Sequence, residues 1–127
     1  MAITWKKLAF ADDVKVIDKE GVIYNSAGVP NAALNVIIWR APYACTLTRI
    51  YGYRVGGTGA TVNARRNAGG TKHLGTDLSL SSADTWVDGG ASYSDTAYAA
   101  GDKCEIMVVS TAGTVTQLAI LVQFTKT

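Results

Sequence analysis

One histidine, two cysteines and two prolines are all that the 127 residues contain of these types, and each shortage removes a class of reading. His73 has no partners at the spacing of a zinc site or a Ser-His-Asp triad, so it is expected on the surface of a loop. Cys45 and Cys104 are too few for a disulfide scaffold or a metal cage. Both fall in apolar alternating stretches that suit buried free thiols; a bridge between adjacent strands and a reactive thiol are the other readings. An excess of one charge is missing as well. Twelve Lys and Arg against ten Asp and Glu leave a formal +2, without the clustered basic face of a nucleic-acid binder. No apolar run approaches the roughly 18 residues of a membrane span. In MAITWKKLAF the lysines follow the apolar stretch, the reverse of a signal peptide. Neither nucleic acid nor membrane is expected as a partner, and use without Sec-type export is expected.

Chemistry-bearing patterns are equally sparse. Asp77, Asp84, Asp88, Asp95 and Asp102 recur between apolar stretches but do not follow the calcium-loop spacing, so turn and cap roles are expected. The glycine-rich GGTGA at 56–60 lacks the Lys-Ser/Thr ending of a phosphate loop. No catalytic residue, cofactor or metal is expected, and the chain is not read as an enzyme.

What is present is strand and turn. Thirteen glycines accompany abundant Thr, Ala and Val. Ala44 to Arg66 reads as two long strands joined by Gly56, Gly57 and Gly59 in a hairpin. In the first arm Cys45, Leu47, Arg49, Tyr51 and Tyr53 are expected on one face, with Ile50, Gly52 and Arg54 on the other. In LNVIIWRAP, Val36 and Ile38 oppose Ile37 and Trp39. KCEIMVVS alternates around Cys104, Ile106 and Val108. VTQLAILVQFTK places Leu118, Ile120, Val122 and Phe124 on the core face and closes a final hairpin with it. About eight strands with turn signals between them predict an all-β, antiparallel β-sandwich. A jelly roll is the first choice and an immunoglobulin-like sandwich the second.

Residues 1–29 differ, with charges in bursts and no sustained period. They are read as an extended N-terminal arm before a sandwich domain at 30–127. Trp5, Lys6, Lys7, Leu8 and Phe10 are the expected partner contact, because spaced apolar anchors can bury on another surface. Strands apolar on both faces point to a closed oligomer, with Ile37, Trp39, Tyr51, Tyr53 and Arg65 at the subunit interface. Trp86, Tyr93 and Tyr98 form a candidate ligand loop whose rings suit sugar faces.

Two stretches carry a resemblance. TWKKLAFADDV, Thr4 to Val14, is similar to the N-terminus of many tailed-bacteriophage virion proteins, and KEGVIY, Lys19 to Tyr24, loosely resembles a segment that often follows it. From Trp39 to Lys103, the text W-R-A-P-Y-A-C-T-L, then GGTGATVNARRN, then HLGTDLSL and AYAAGDK, is similar to a compact module of phage structural and fibre-tip proteins. No repeat or stalk separates arm from body. The resemblance therefore implies a homotrimeric capsid cement (decoration) protein, made in the host cytoplasm and placed on the virion capsid surface, with the phage major capsid protein as partner. The other reading is the receptor-binding tip of a tail or head fibre that recognises a host surface glycan.

Overall fold

The structure, a computed structural model, describes residues 16–24 and 34–127. In chain order its strands are β1 (Val16–Tyr24), β2 (Asn35–Arg40), β3 (Cys45–Gly56), β4 (Gly59–Arg66), β5 (Leu78–Ser79), β6 (Val87–Asp88), β7 (Ala97–Tyr98), β8 (Lys103–Ala112) and β9 (Val115–Lys126). They form two antiparallel sheets packed as a β-sandwich. One runs β1-β9-β3-β6, with β7 also paired to β3; the other runs β2-β8-β4-β5. The expected all-β sandwich is what the chain forms. The expected arm contact, Trp5 to Phe10, lies outside the described residues. Within the stretch read as arm, Val16–Tyr24 pairs with β9 along its whole length.

The core lies between the sheets. Leu118, Ile120, Val122 and Phe124 of β9 are wholly buried at every second position, opposite Cys104, Ile106 and Val108 of β8 and Val62 and Ala64 of β4. Two inward positions of the first sheet are glycines because side chains of the facing layer fill the space. A Cβ on Gly21 would lie 2.5 Å from Ile106 Cδ1 and 2.7 Å from Ile38 Cγ2, and one on Gly52 2.7 Å from Leu80 Cδ2. Cys45 and Cys104 are buried free thiols. Burial pushes the Cys104 thiol up to about 12 and raises that of Cys45 as well, which makes both inert as nucleophiles near neutral pH.

Two expected hairpins are corners instead. β3 and β4 belong to different sheets, as do β8 and β9. The turn signal is real, with Gly56 and Gly57 at φ 75° and 68° and Gly113 at 71°. A positive-φ glycine pair turns the chain back whether or not the flanking strands then pair with each other. The two corners pack together, the Thr58 N–H donating to the Ala112 carbonyl at 2.8 Å. The C-terminal strand is therefore held by β1 and β3, not by β8.

Two β-bulges also overturn the expected faces. In β3 the register slips between Leu47 and Arg49, so Thr48 is an extra residue. Cys45 and Leu47 point inward before it, and Ile50, Gly52 and Arg54 point inward after it. Arg49, Tyr51 and Tyr53 are thereby turned outward, away from Cys45 and Leu47. In β2 the slip between Ile37 and Trp39 sends these residues to opposite faces. Trp39 folds inward, its ring 4.8 Å from that of Phe124, while Ile37 stays outside.

Candidate interaction surfaces

Five large apolar side chains are exposed among the described residues, and they sort onto the two long edges of the sandwich. Val16, Val22, Leu34 and Ile37 lie on or beside β1 and β2; Trp86 is the fifth. Among the described residues β1 and β2 are the edge strands of their sheets, and they lie against each other along one side. An edge strand presents backbone groups without a strand partner, and such edges are commonly blunted by charge. Here Asp18, Lys19 and Glu20 sit in the middle of β1. Lys19 leans inward, its Nζ 5.4 Å from the Trp39 ring centre, and Asp18 accepts a hydrogen bond from Gln123 Nε2 at 3.1 Å. The apolar residues flank this charged centre.

The residues expected at a subunit interface are divided between the two outer faces. Tyr51 and Tyr53 are on the outside of the first sheet. Ile37 and Arg65 are on the outside of the second, in one cross-strand row with Glu105 between them. Arg65 Nε donates to Glu105 Oε1 at 2.6 Å with the carboxylate almost wholly buried, so this pair fixes the row, and removing one partner would strand the other's charge. Trp39 is committed to the core margin.

The opposite edge, at β6, carries Trp86, which is 47% exposed. Its ring stands 5.2 Å from that of Tyr53 at an interplanar angle of 53°. Next along the same face, Asp88 pairs across the strands with Tyr51. Both its carboxylate oxygens lie 3.3 Å from Arg49 Nη1. The turn beyond is pinned: the Gly90 N–H donates to Asp88 Oδ1 at 2.8 Å, and the Tyr93 hydroxyl donates to the Gly90 carbonyl at 2.6 Å while accepting from the Ile50 N–H at 3.0 Å. Tyr93, expected in a ligand loop, is thus an anchor beneath the turn, and burial raises its pKa.

Tyr98, the third expected ligand residue, is instead part of the core, and so is His73. The Ser94 carbonyl can only accept, so His73 Nδ1 carries the proton and donates to it at 2.9 Å; Nε2 then accepts from the Tyr98 hydroxyl at 2.8 Å. The Tyr98 ring meets Phe124 edge-on at 4.9 Å. Burial lowers the His73 pKa and raises that of Tyr98. A lone histidine was expected outside because sequence spacing reveals catalytic partners but not a carbonyl and a phenol brought from distant loops. Among the described residues, no cluster of three or more His, Cys, Asp or Glu is placed to hold a metal ion.

Three further polar residues organise these surfaces without having been singled out by their pattern. Arg54 is buried at an inward position of β3, and no carboxylate among the described residues pairs with it. It donates to the carbonyls of Leu80 at 2.7 Å, Ser81 at 3.0 Å and Gly57 at 2.8 Å, and to that of Gly56. It so ties the glycine corner to the segment that leads to Trp86. Asn63 uses its whole amide to hold the 67–77 loop, donating to Leu74 O and Asp77 Oδ1 and accepting from the N–H groups of Ala64 and Leu74. Arg66 bridges Asp95 at 2.8 Å and Asp102 at 3.0 Å. Hydrogen bonds, first from the Ala99 N–H, hold the Asp102 carboxyl below its usual range.

No protein family matches the chain in sequence, and no curated protein does. A solved structure does match in shape: a chain of the Cyanophage Pam1 capsid asymmetric unit, with a TM-score of 0.56 and 10% identity, over 88% of this chain and 85% of that one. At that identity the likeness is one of fold.

Proposed function

We propose that the chain is a structural protein of a tailed-phage virion, and within that class a trimeric capsid cement protein bound to the major capsid protein lattice. The fold likeness to a chain of a phage capsid asymmetric unit, extending over most of both chains, carries this reading. The strand order supports it as a jelly roll: strands 1-9-3-6 face strands 2-8-4-5, with the chain crossing between sheets. The β1–β2 edge is the contact surface. Val16, Val22, Leu34 and Ile37 supply apolar area there, and in sequence the edge directly follows the segment with Trp5, Lys6, Lys7, Leu8 and Phe10. The mechanism is mechanical. A protein that binds only the assembled lattice raises the free energy of taking capsomers apart, as any ligand of one state stabilises that state.

The test is copy number on purified particles, measured by quantitative mass spectrometry against the major capsid protein. A ratio within a few-fold of one is expected. A ratio of a few per cent would move the protein to a vertex or the tail and overturn the cement reading. Removal of residues 1–13 should leave a folded trimer that no longer binds heads.

A further inference from the structure

We propose that the β6 edge is a binding site for a neutral pyranose sugar, with Trp86 and Tyr53 as the stacking floor and the Arg49–Asp88 pair as the polar wall. This goes beyond the lattice role and stands independently of it, since the site lies on the edge away from β1 and β2.

Three observations select this occupant. First, the apolar strip is small. An aromatic side chain covers ~150–250 Å² when wholly buried, so a half-exposed Trp86 beside a partly covered Tyr53 falls well short of the ~800 Å² a side that a stable protein pair needs. A single sugar ring matches it, because Trp86 and Asp88 are two residues apart on one face, ~7 Å along the strand. Second, the polar groups are complementary to a vicinal diol. Arg49 engages Asp88 through Nη1 alone, and the side chains are 36% and 50% exposed, so the guanidinium keeps donors and the carboxylate keeps an acceptor directed at solvent. One hydroxyl can accept from Arg49 while its neighbour donates to Asp88. The pair carries no net charge and offers an acceptor as well as donors, which suits the paired hydroxyls of a neutral ring. Third, the site is preorganised. The turn after Asp88 is tied to Ile50 through Tyr93 and through the Gly89 N–H, which donates to the Ile50 carbonyl at 2.8 Å. The segment before Trp86 is tied to β3 by Arg54 and by the Asp84 N–H, which donates to the Arg54 carbonyl at 2.8 Å. Little ordering remains to oppose binding.

The experiment titrates the full chain with the methyl pyranosides of glucose, galactose, mannose, N-acetylglucosamine, rhamnose and fucose. It follows the Trp86 indole N–H by NMR and saturation transfer to each sugar. At least one sugar should shift the Trp86 resonance saturably, at concentrations of roughly 1 mM, a range ordinary for a single small contact. Trp86→Ala should weaken that sugar at least tenfold and Asp88→Asn several-fold, with Ile37→Ser unchanged. If Trp86→Ala disturbs the β9 amide signals, Asp88→Asn gives the same reading. No saturable shift with any of the six sugars overturns the proposal. So does saturation transfer that persists unchanged in both variants, or loss of particle binding in Trp86→Ala without any sugar effect.

Discussion

The two long edges of this sandwich expose apolar surface in different ways. At the β1–β2 edge, aliphatic side chains flank a charged strand centre, and among the described residues the backbone beside them has no further strand neighbour. At the β6 edge a single tryptophan stands over a tyrosine, beside an ion pair and above a turn held by side-chain hydrogen bonds. Aliphatic groups beside a free strand edge suit a partner that adds area and backbone pairing. An aromatic floor with a fixed polar wall suits a small ligand with an apolar face and directional hydroxyls. The difference teaches that exposure alone does not define a surface; the rigidity and polarity beside it decide what can bind.

The largest break in this comparison should come from Arg54→Met. It would leave the buried Leu80 carbonyl and three partly buried ones without this donor, at about 1–3 kcal/mol for each that water cannot reach. A loss of roughly 3 kcal/mol or more is expected in urea unfolding, with the β6 edge losing amide-exchange protection before β1 does. A loss below ~1 kcal/mol would mean that water replaces the guanidinium.

Gly21→Val strikes the other edge. Its side chain would drive into Ile106 and Ile38, and overpacking of this kind costs about 1–3 kcal/mol. The expected signature is displaced β1 amide signals with an unchanged Trp86 environment. Movement at both edges would show that they are not independent.

Acidification should act through His73. The folded protein keeps the ring neutral because burial lowers its pKa, whereas the unfolded chain takes up a proton below about pH 6.5. Stability from this group is therefore complete above that pH and is lost as the pH falls toward the folded-state pKa, by at most about 1.4 kcal/mol per pH unit. His73→Phe, measured by unfolding at a series of pH values, should flatten this part of the profile. A profile identical to that of the parent would mean that other groups set it.

The smallest stability effect is expected for Val22→Ser with Ile37→Ser, within about 0.5 kcal/mol for each exposed site. Binding to particles should nonetheless fall clearly in a pull-down, while sugar binding at β6 stays intact. Unimpaired particle binding would remove the β1–β2 edge from the contact.

The alternation in VTQLAILVQFTK was enough to place Leu118, Ile120, Val122 and Phe124 in the core, because the irregularity of this strand falls at Thr116 and the period of two is unbroken from Leu118 on. The same rule failed in CTLTRIYGYRV, where one extra residue at Thr48 reverses every face after it. Trp86 was legible as an aromatic of the candidate ligand loop. Its neighbours Tyr53, Arg49 and Asp88 were not legible as one site, since β3 and β6 meet only through the sheet. Tyr98, whose place in the sequence suggests a ligand contact, is core, because a tyrosine near a loop does not reveal whether its hydroxyl will find a buried partner.

The sequence by itself determined the all-β class, the turn positions and most inward residues, since these follow from side-chain period and glycine conformational freedom, which are local. Tertiary structure decided which strands pair, where bulges reverse a face, and how Arg54, His73 and Asn63 are satisfied. Those outcomes depend on carbonyls, phenols and carboxylates brought together from distant parts of the chain, and no local pattern records them.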